Sequence, residues 1–102
     1  MKTTGDIRLR ELAAYLHTWT KAAVEYRHVR FSLSNADVLA LVRPMRCAVT
    51  GAELRWDGRR SKLERGPFEP YLDMVDNSRG YVPGNVRVVC LCYGLARANA
   101  SH

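Results

Sequence analysis

Pro67-Phe-Glu-Pro-Tyr-Leu-Asp-Met-Val-Asp76, followed shortly by Arg79-Gly-Tyr-Val-Pro-Gly-Asn-Val-Arg-Val-Val-Cys90, is the part of the sequence that decides the fold. Its apolar residues fall in short runs bounded by Pro, Gly and Asn, which is typical of strands separated by turns. We predict an extended segment over 67–75, a turn region over 76–84 and a second strand in the valine-rich end. The tail from about 91 to 98 then predicts a closing helix.

Upstream of this stretch, the first 44 residues show helical periodicity. From Asp6, a good N-cap residue, apolar positions recur at helical spacing up to about Arg27. Ser34 begins Ser-Asn-Ala-Asp, a start that resembles a capping box with Asp37 in place of the usual Glu. A second, short helix is therefore expected, and Pro44 ends it.

Length and composition allow one small domain. The chain has 102 residues, of which 47% are hydrophobic and 25% are charged, ordinary values for a globular protein. We predict a single α+β domain over 1–102, with a helical part over 1–44 and a strand-containing part over 45–102. No run of about 18 apolar residues occurs, so no membrane partner is expected. The charged start of the sequence favours the cytoplasm over secretion.

The chain is basic, with a formal net charge of +6. This balance favours a polyanion, either nucleic acid or an acidic protein surface. Four of the 16 Lys and Arg residues fall in the segment Asp57 to Gly66, which we call the basic loop and expect to be a polar, exposed connection. Its cationic residues are Arg59, Arg60, Lys62 and Arg65.

Three segments together resemble the HNH family of endonucleases, also called His-Me finger or ββα-metal nucleases. They are Cys47-Ala-Val-Thr-Gly51, the Leu-Asp-x-x-Asp run that ends at Asp76, and the run Gly80-Tyr81-x-x-x-Asn85-Val. The resemblance begins at Cys47 and is strongest to small HNH-like proteins of phages and prophages. It implies a ββα finger, which would follow the two helices that the periodicity predicts. In this family a general base activates water beside one divalent metal ion.

The resemblance also implies which residues would do the chemistry. Asp73 matches the acidic residue that holds the metal, and Asn85 matches a structural residue that braces the loop. Met74 stands at the position of the base, although a thioether takes no proton near neutral pH. Gly94 falls where the closing helix usually presents Asn or His. Asp76 could join Asp73 in binding Mg²⁺ or another divalent cation, or it could cap the turn that follows it.

Three cysteines, Cys47, Cys90 and Cys92, are an odd number and predict no disulfide framework. Cys90 and Cys92 are also too close along the chain to pair easily with each other. Many HNH domains carry a zinc knuckle built from two Cys-x-x-Cys pairs. Here Thr50 ends the first pair, and three thiolates without a His nearby make a poor tetrahedral site, so zinc is not expected. Cys47 and Cys90 are interpreted as small buried hydrophobic residues.

These observations lead to three functional hypotheses. The first is an HNH-fold, nucleic-acid-binding protein of phage or mobile-element type, with impaired cleavage, in the cytoplasm of a bacterial host. The second is a phage-derived, protein-binding inhibitor or decoy that acts on a host nucleic-acid-handling or defence complex. The third is an active, metal-dependent DNA endonuclease that uses Asp73 and Asp76. The first two differ in their partner, which is duplex DNA in one and an acidic or nucleic-acid-binding protein complex in the other.

Under the first hypothesis, arginine and lysine side chains bind the phosphates of duplex DNA in a salt-dependent manner. Trp56 and Tyr81 could stack on bases, or they could fill the small core beneath the basic loop. The predicted contact residues are Arg55, Arg59, Arg60, Lys62, Arg65, Arg79 and Arg87.

Overall fold

The computed structural model describes residues 4–25, 27–56 and 66–100. These residues form an α+β fold of three helices and one two-stranded antiparallel sheet. No helix in the described ranges is long and apolar enough to cross a membrane. In chain order the elements are α1 (Thr4–Glu25), α2 (Asn35–Val42), β1 (Pro70–Met74), β2 (Val86–Cys90) and α3 (Leu91–Ala100).

Helices α1 and α2 pack against each other and form one side of the core. The buried side chains of α1 recur every three or four residues, because these positions share one face of a helix; they are Leu12, Ala13, Leu16, Thr20 and Val24. Val38 and Val42 of α2 are completely buried. Helix α1 begins two residues before the predicted N-cap Asp6 and ends two residues before the predicted end near residue 27.

The capping box predicted at the start of α2 is present. The backbone N–H of Asp37 donates to Ser34 Oγ at 3.1 Å, and the backbone N–H of Ser34 donates to Asp37 Oδ2 at 2.8 Å. Two N–H groups that the first turn would otherwise leave without partners are thereby satisfied. The shorter Asp side chain performs the role that Glu usually has in this motif.

Residues 45–54 form a small hairpin that we call the knuckle. Cys47 N–H donates to the Ala52 carbonyl at 2.8 Å, and Leu54 N–H donates to the Met45 carbonyl at 2.9 Å. A further hydrogen bond joins the knuckle to the sheet, from Ala48 N–H to the Val88 carbonyl at 2.9 Å. The knuckle therefore lies along the edge of β2 that β1 does not use.

The register of the sheet determines which residues face α3. Asp73 pairs with Arg87 and Tyr71 pairs with Val89. Because side chains alternate along a strand, these four residues share one face, and α3 packs across it. The opposite face is apolar and contributes to the core; its side chains include Leu72, Met74, Val86 and Val88.

The turn region between the strands is attached to the segment that joins α1 and α2. Tyr81 N–H donates to the Arg30 carbonyl at 2.8 Å, and Ser32 N–H donates to the Tyr81 carbonyl at 3.0 Å. Gly80 has φ +84°, and an added Cβ would lie 2.8 Å from the Arg30 carbonyl oxygen. Only glycine fits this close approach of two backbones without strain.

Candidate functional site

The face of the sheet under α3 carries one buried carboxylate, Asp73, which is 8% exposed. Arg87 Nε, on the neighbouring strand, donates to its Oδ2 at 2.9 Å. Arg97 Nη1, on α3, donates to Oδ1 at 2.7 Å and to Oδ2 at 2.8 Å. Both carboxylate oxygens therefore accept charge-assisted hydrogen bonds, which are the strong kind.

Arg97 also joins α3 to the end of β1. Its guanidinium donates to the backbone carbonyl of Met74, and Arg97 Nη2 donates to the carbonyl of Val75 at 3.2 Å. A guanidinium carries several donors in a fixed plane, so one side chain can bind a carboxylate and adjacent carbonyls together. Arg97 thus places a positive charge between the closing helix and Asp73.

Arg87 is the second cation on Asp73 and contacts α3 as well. Its Nη2 donates to the Tyr93 hydroxyl at 3.4 Å, and its guanidinium carbon lies 5.9 Å from the centre of the Tyr93 ring. The hydrogen bond to Asp73 raises the pKa of Arg87 above its usual value. The structure therefore places Arg87, predicted to contact phosphate, in an ion pair that leaves its side chain about one-third exposed.

Met74 occupies the position that the resemblance assigns to the general base. It is 9% exposed, and strand alternation turns its side chain away from the face that carries Asp73. Besides lacking a basic atom, this side chain belongs to the apolar core. A water molecule beside Asp73 would therefore find no general base at position 74.

Gly94 packs against the ring of Tyr71. An added Cβ would lie 2.7 Å from Tyr71 Cδ1 and 2.9 Å from Cγ, distances that force the ring or the helix to move. The place where a metal-binding Asn or His is expected in the family is therefore filled by Tyr71. Introducing Met74→His together with Gly94→Asn would disturb this packing and not simply restore a ligand.

We expect Gly94→Ala to lower the free energy of unfolding by about 1–3 kcal/mol, the usual cost of overpacking. The measurement is urea unfolding, with the same substitution repeated in a Tyr71→Ala background. Without the ring the clash disappears, and alanine should then stabilise α3 by up to about 1 kcal/mol through its higher helix propensity. An equal loss in both backgrounds would contradict the contact.

Asp76 lies in the turn after β1 and is exposed. Its Oδ1 accepts hydrogen bonds from the backbone N–H of Ser78 at 2.9 Å and from the Ser78 hydroxyl at 2.7 Å. These bonds lower the pKa of Asp76. The geometry is that of the turn-capping alternative. In the described part of the chain, no three His, Cys, Asp or Glu side chains form a group that could hold a metal ion.

Asn85 connects the two sides of the turn region. Its Oδ1 accepts the backbone N–H of Asp76 at 3.0 Å, and its Nδ2 donates to the carbonyls of Asp76 at 2.9 Å and Gly80 at 2.7 Å. Asn85 is 1% exposed. Its bond to Gly80 is buried and its two bonds to Asp76 are partly buried, so water can replace the bond to Gly80 least easily.

The two aromatic residues considered for base stacking lie in different surroundings. Tyr81 is 7% exposed, its hydroxyl lies 3.5 Å from the Leu72 carbonyl oxygen, and burial raises its pKa to about 12. Trp56 is partly buried, with its ring centre 6.2 Å from that of Tyr15. Tyr81 thus fills the core, as the second alternative predicts, and it exposes almost no surface on which a nucleic-acid base could stack.

Three of the seven predicted phosphate contacts lie in the described part of the chain, and four do not. Arg55 and Arg79 are exposed, and Arg87 pairs with Asp73. The four cations of the basic loop, Arg59, Arg60, Lys62 and Arg65, lie outside the described residues. Arg97 was not among the predicted site residues. The sequence does contain an indication of it, since Arg97 lies three residues after Gly94 and so shares its helix face.

Cys47 forms a second polar site, inside the knuckle. Burial alone would raise the pKa of its thiol. Hydrogen bonds from the Thr50 hydroxyl and from the N–H groups of Thr50, Cys90 and Val49 outweigh burial and lower this pKa to about 6. The Thr50 nitrogen lies 3.4 Å from the sulfur.

A lowered pKa makes the stability of the protein depend on pH. At pH values between about 6 and 9.0, the unfolded Cys47 binds a proton that the folded protein has already released. We therefore expect the free energy of unfolding to rise with pH across this window, and to lose this contribution as pH falls through about 6. The measurement is the urea midpoint against pH, compared with Cys47→Ser, which cannot ionise. Parallel curves for the two proteins would contradict the low pKa.

No protein-family model matches this chain, and no curated protein or solved structure is detectably similar to it.

Proposed function

We propose that this chain is an HNH-fold, nucleic-acid-binding protein of phage or mobile-element type in which the cleavage chemistry is impaired. The order of antiparallel hairpin and closing helix, with Asp73 on the face between them, is compatible with the ββα finger that the sequence motifs suggest. The observation that carries the proposal is the Arg97 guanidinium on Asp73.

Arg97 supports loss of cleavage for an electrostatic reason. A divalent metal needs carboxylate oxygens with lone pairs to share, and both oxygens of Asp73 accept hydrogen bonds from arginine. A metal would have to displace a guanidinium that also bonds to two backbone carbonyls. Met74 lies in the core and Gly94 packs against Tyr71. Together with Asp73, these are the three positions that the motif assigns to the metal or the base, and none of them is open to a metal ion or a water molecule.

The charge distribution supports binding to duplex DNA. The net charge is +6, and Arg55 and Arg79 expose their side chains on the strand-containing part. The basic loop adds four more cations in the same half of the sequence. Contacts of this kind release counterions from DNA, so the affinity is expected to fall steeply with salt and to depend little on base sequence.

We expect the triple variant Arg59→Ala, Arg60→Ala, Arg65→Ala to bind duplex DNA more weakly, with a salt slope lower by about three units, roughly one for each lost phosphate contact. The polar composition of the basic loop predicts an exposed segment, and exposed charges contribute little to folding, so the urea midpoint of the variant should barely change. The measurement is DNA affinity between about 50 and 200 mM salt.

A matched control removes the same charge from another surface. Arg8, Lys21 and Arg27 are exposed residues of α1 and the segment after it, and their triple alanine variant should keep most of the salt slope. Equal losses in the two variants would show that net charge alone drives binding. An unchanged slope in the basic-loop variant would move the interface to α1.

The protein-binding hypothesis is tested by pull-down from a bacterial lysate, with and without nuclease treatment. Recovery of DNA, with protein partners lost after nuclease treatment, supports the nucleic-acid-binding proposal. A stoichiometric protein that remains bound after nuclease treatment would instead support an inhibitor or decoy.

A further inference from the structure

Three cysteines from two parts of the sequence meet where β2 ends and α3 begins. The sulfurs of Cys90, the last residue of β2, and Cys92, in the first turn of α3, are 3.4 Å apart. Cys47, on the knuckle that borders β2, interacts with the Cys90 thiol. Cys47 and Cys90 are each 2% exposed, whereas Cys92 is exposed. The cluster thus runs from solvent to the interior.

The two buried thiols of the cluster have pKa values shifted in opposite directions. Burial raises the pKa of Cys90, and its thiol interacts with both Cys92 and Cys47, whereas hydrogen bonds lower the pKa of Cys47. A buried thiol with a raised pKa is a poor first nucleophile. Cys90 is therefore assigned the second attack, on a disulfide that already lies beside its sulfur.

We propose that Cys92 and Cys90 form a thiol–disulfide exchange site that reacts with small-molecule disulfides, such as oxidised glutathione, and closes into a Cys90–Cys92 disulfide. In the first step the exposed Cys92 thiolate attacks one sulfur of oxidised glutathione. A Cys92–glutathione bond forms, and one glutathione leaves as a thiolate that takes up a proton from solvent.

In the second step Cys90 attacks the Cys92 sulfur, which is already in contact with it. The Cys90–Cys92 bond forms, the Cys92–glutathione bond breaks, and the departing glutathione thiolate takes up the proton that Cys90 loses. Two protein thiols are oxidised and one glutathione disulfide is reduced to two thiols. Because residues two apart close a small and strained ring, the product should be easily reduced by excess glutathione.

The test is incubation of the folded protein with oxidised glutathione, followed by alkylation and tryptic mass mapping. Trypsin cuts after Arg46, Arg55, Arg87 and Arg97, so one peptide carries Cys90 and Cys92 and another carries Cys47. We expect two of the three thiols to disappear, and the 88–97 peptide to lose the mass of two hydrogens. Reduced glutathione should reverse the change.

Two variants test the assigned roles. Cys92→Ser removes an exposed side chain, should fold normally, and should block both the mixed and the internal disulfide. Cys90→Ser removes the second nucleophile, so the reaction should stop at the Cys92–glutathione adduct. A urea unfolding curve establishes that each variant is folded.

Three outcomes would overturn the proposal. They are three intact thiols in the native protein, a stable glutathione adduct without internal closure, and a bond between the 47–55 and 88–97 peptides. Each of them refutes the Cys90–Cys92 disulfide.

Discussion

Asn85→Ala is expected to lower the free energy of unfolding by about 3 kcal/mol or more. The substitution removes three hydrogen bonds and leaves the N–H and carbonyl of Asp76 and the carbonyl of Gly80 without their partner. Each buried polar group that loses its partner costs about 1–3 kcal/mol. We use the lower end, because two of the three bonds are only partly buried.

The measurement for Asn85 is the urea midpoint and slope of the variant. Asn77→Ala, an exposed position in the same turn region, is the control and should change the stability by less than about 0.5 kcal/mol. Equal stability of the two variants would show that the amide of Asn85 is not what holds the turn region. Asn85→Asp is a second check, since it keeps the acceptor oxygen and loses the donor.

Asp73→Ala is expected to destabilise the protein by about 2 kcal/mol. The change leaves the guanidiniums of Arg87 and Arg97 close together without their shared counter-charge. Removing one partner from a buried ion pair costs about 3–5 kcal/mol, and this figure is reduced here because the arginine side chains remain 30% and 25% exposed. The expected loss of stability is therefore large for the removal of a single charge, but smaller than the loss expected for Asn85→Ala.

The control for Asp73 is Asp76→Ala, which removes an exposed carboxylate three residues later. It should cost less than Asp73→Ala, because only contacts within the exposed turn are lost. The double variant Asp73→Ala, Arg97→Ala should recover part of the loss, since it relieves the repulsion between the two arginines. Mg²⁺ that raises the stability of the wild-type protein, but not the stability of Asp73→Ala, would instead identify Asp73 as a metal ligand.

Local sequence patterns were sufficient to predict the elements of the fold. Helical periodicity, the capping box at Ser34 and the turn residues between 76 and 84 each act over a few residues, and the structure contains the helices and strands where they indicate them. Their ends differ by a few residues, as with α3, which extends to Ala100. Helix ends depend on tertiary packing as well as on local sequence.

The site was harder to predict because it depends on contacts between distant segments. The family motif assigns Gly94 to the metal-binding position of the closing helix, whereas the side chain that reaches Asp73 belongs to Arg97, one turn further along α3. Which of the two faces the sheet depends on how α3 packs against Tyr71. Likewise, the contact between Cys47 and Cys90 follows from the knuckle lying along β2, which no local pattern indicates.

The proposed function joins these observations in one account. Under the proposed function, Arg97 occupies the place of the metal ion, and the Asp73 carboxylate stabilises the fold instead of contributing to hydrolysis. The basic surface is unaffected by this change, because phosphate binding needs only exposed cations. A protein of this kind would bind duplex DNA through charge and leave its backbone intact.

The most direct measurement mixes supercoiled plasmid with increasing amounts of the protein in Mg²⁺ at about 50 mM salt, where phosphate contacts are strongest, and follows both migration and nicking on a gel. The account predicts a plasmid that is retarded by the protein and is recovered fully supercoiled once the protein is digested away. Nicked or linear plasmid produced by the wild-type protein, and not by Asp73→Ala, would contradict it, as would a plasmid whose migration the protein never alters.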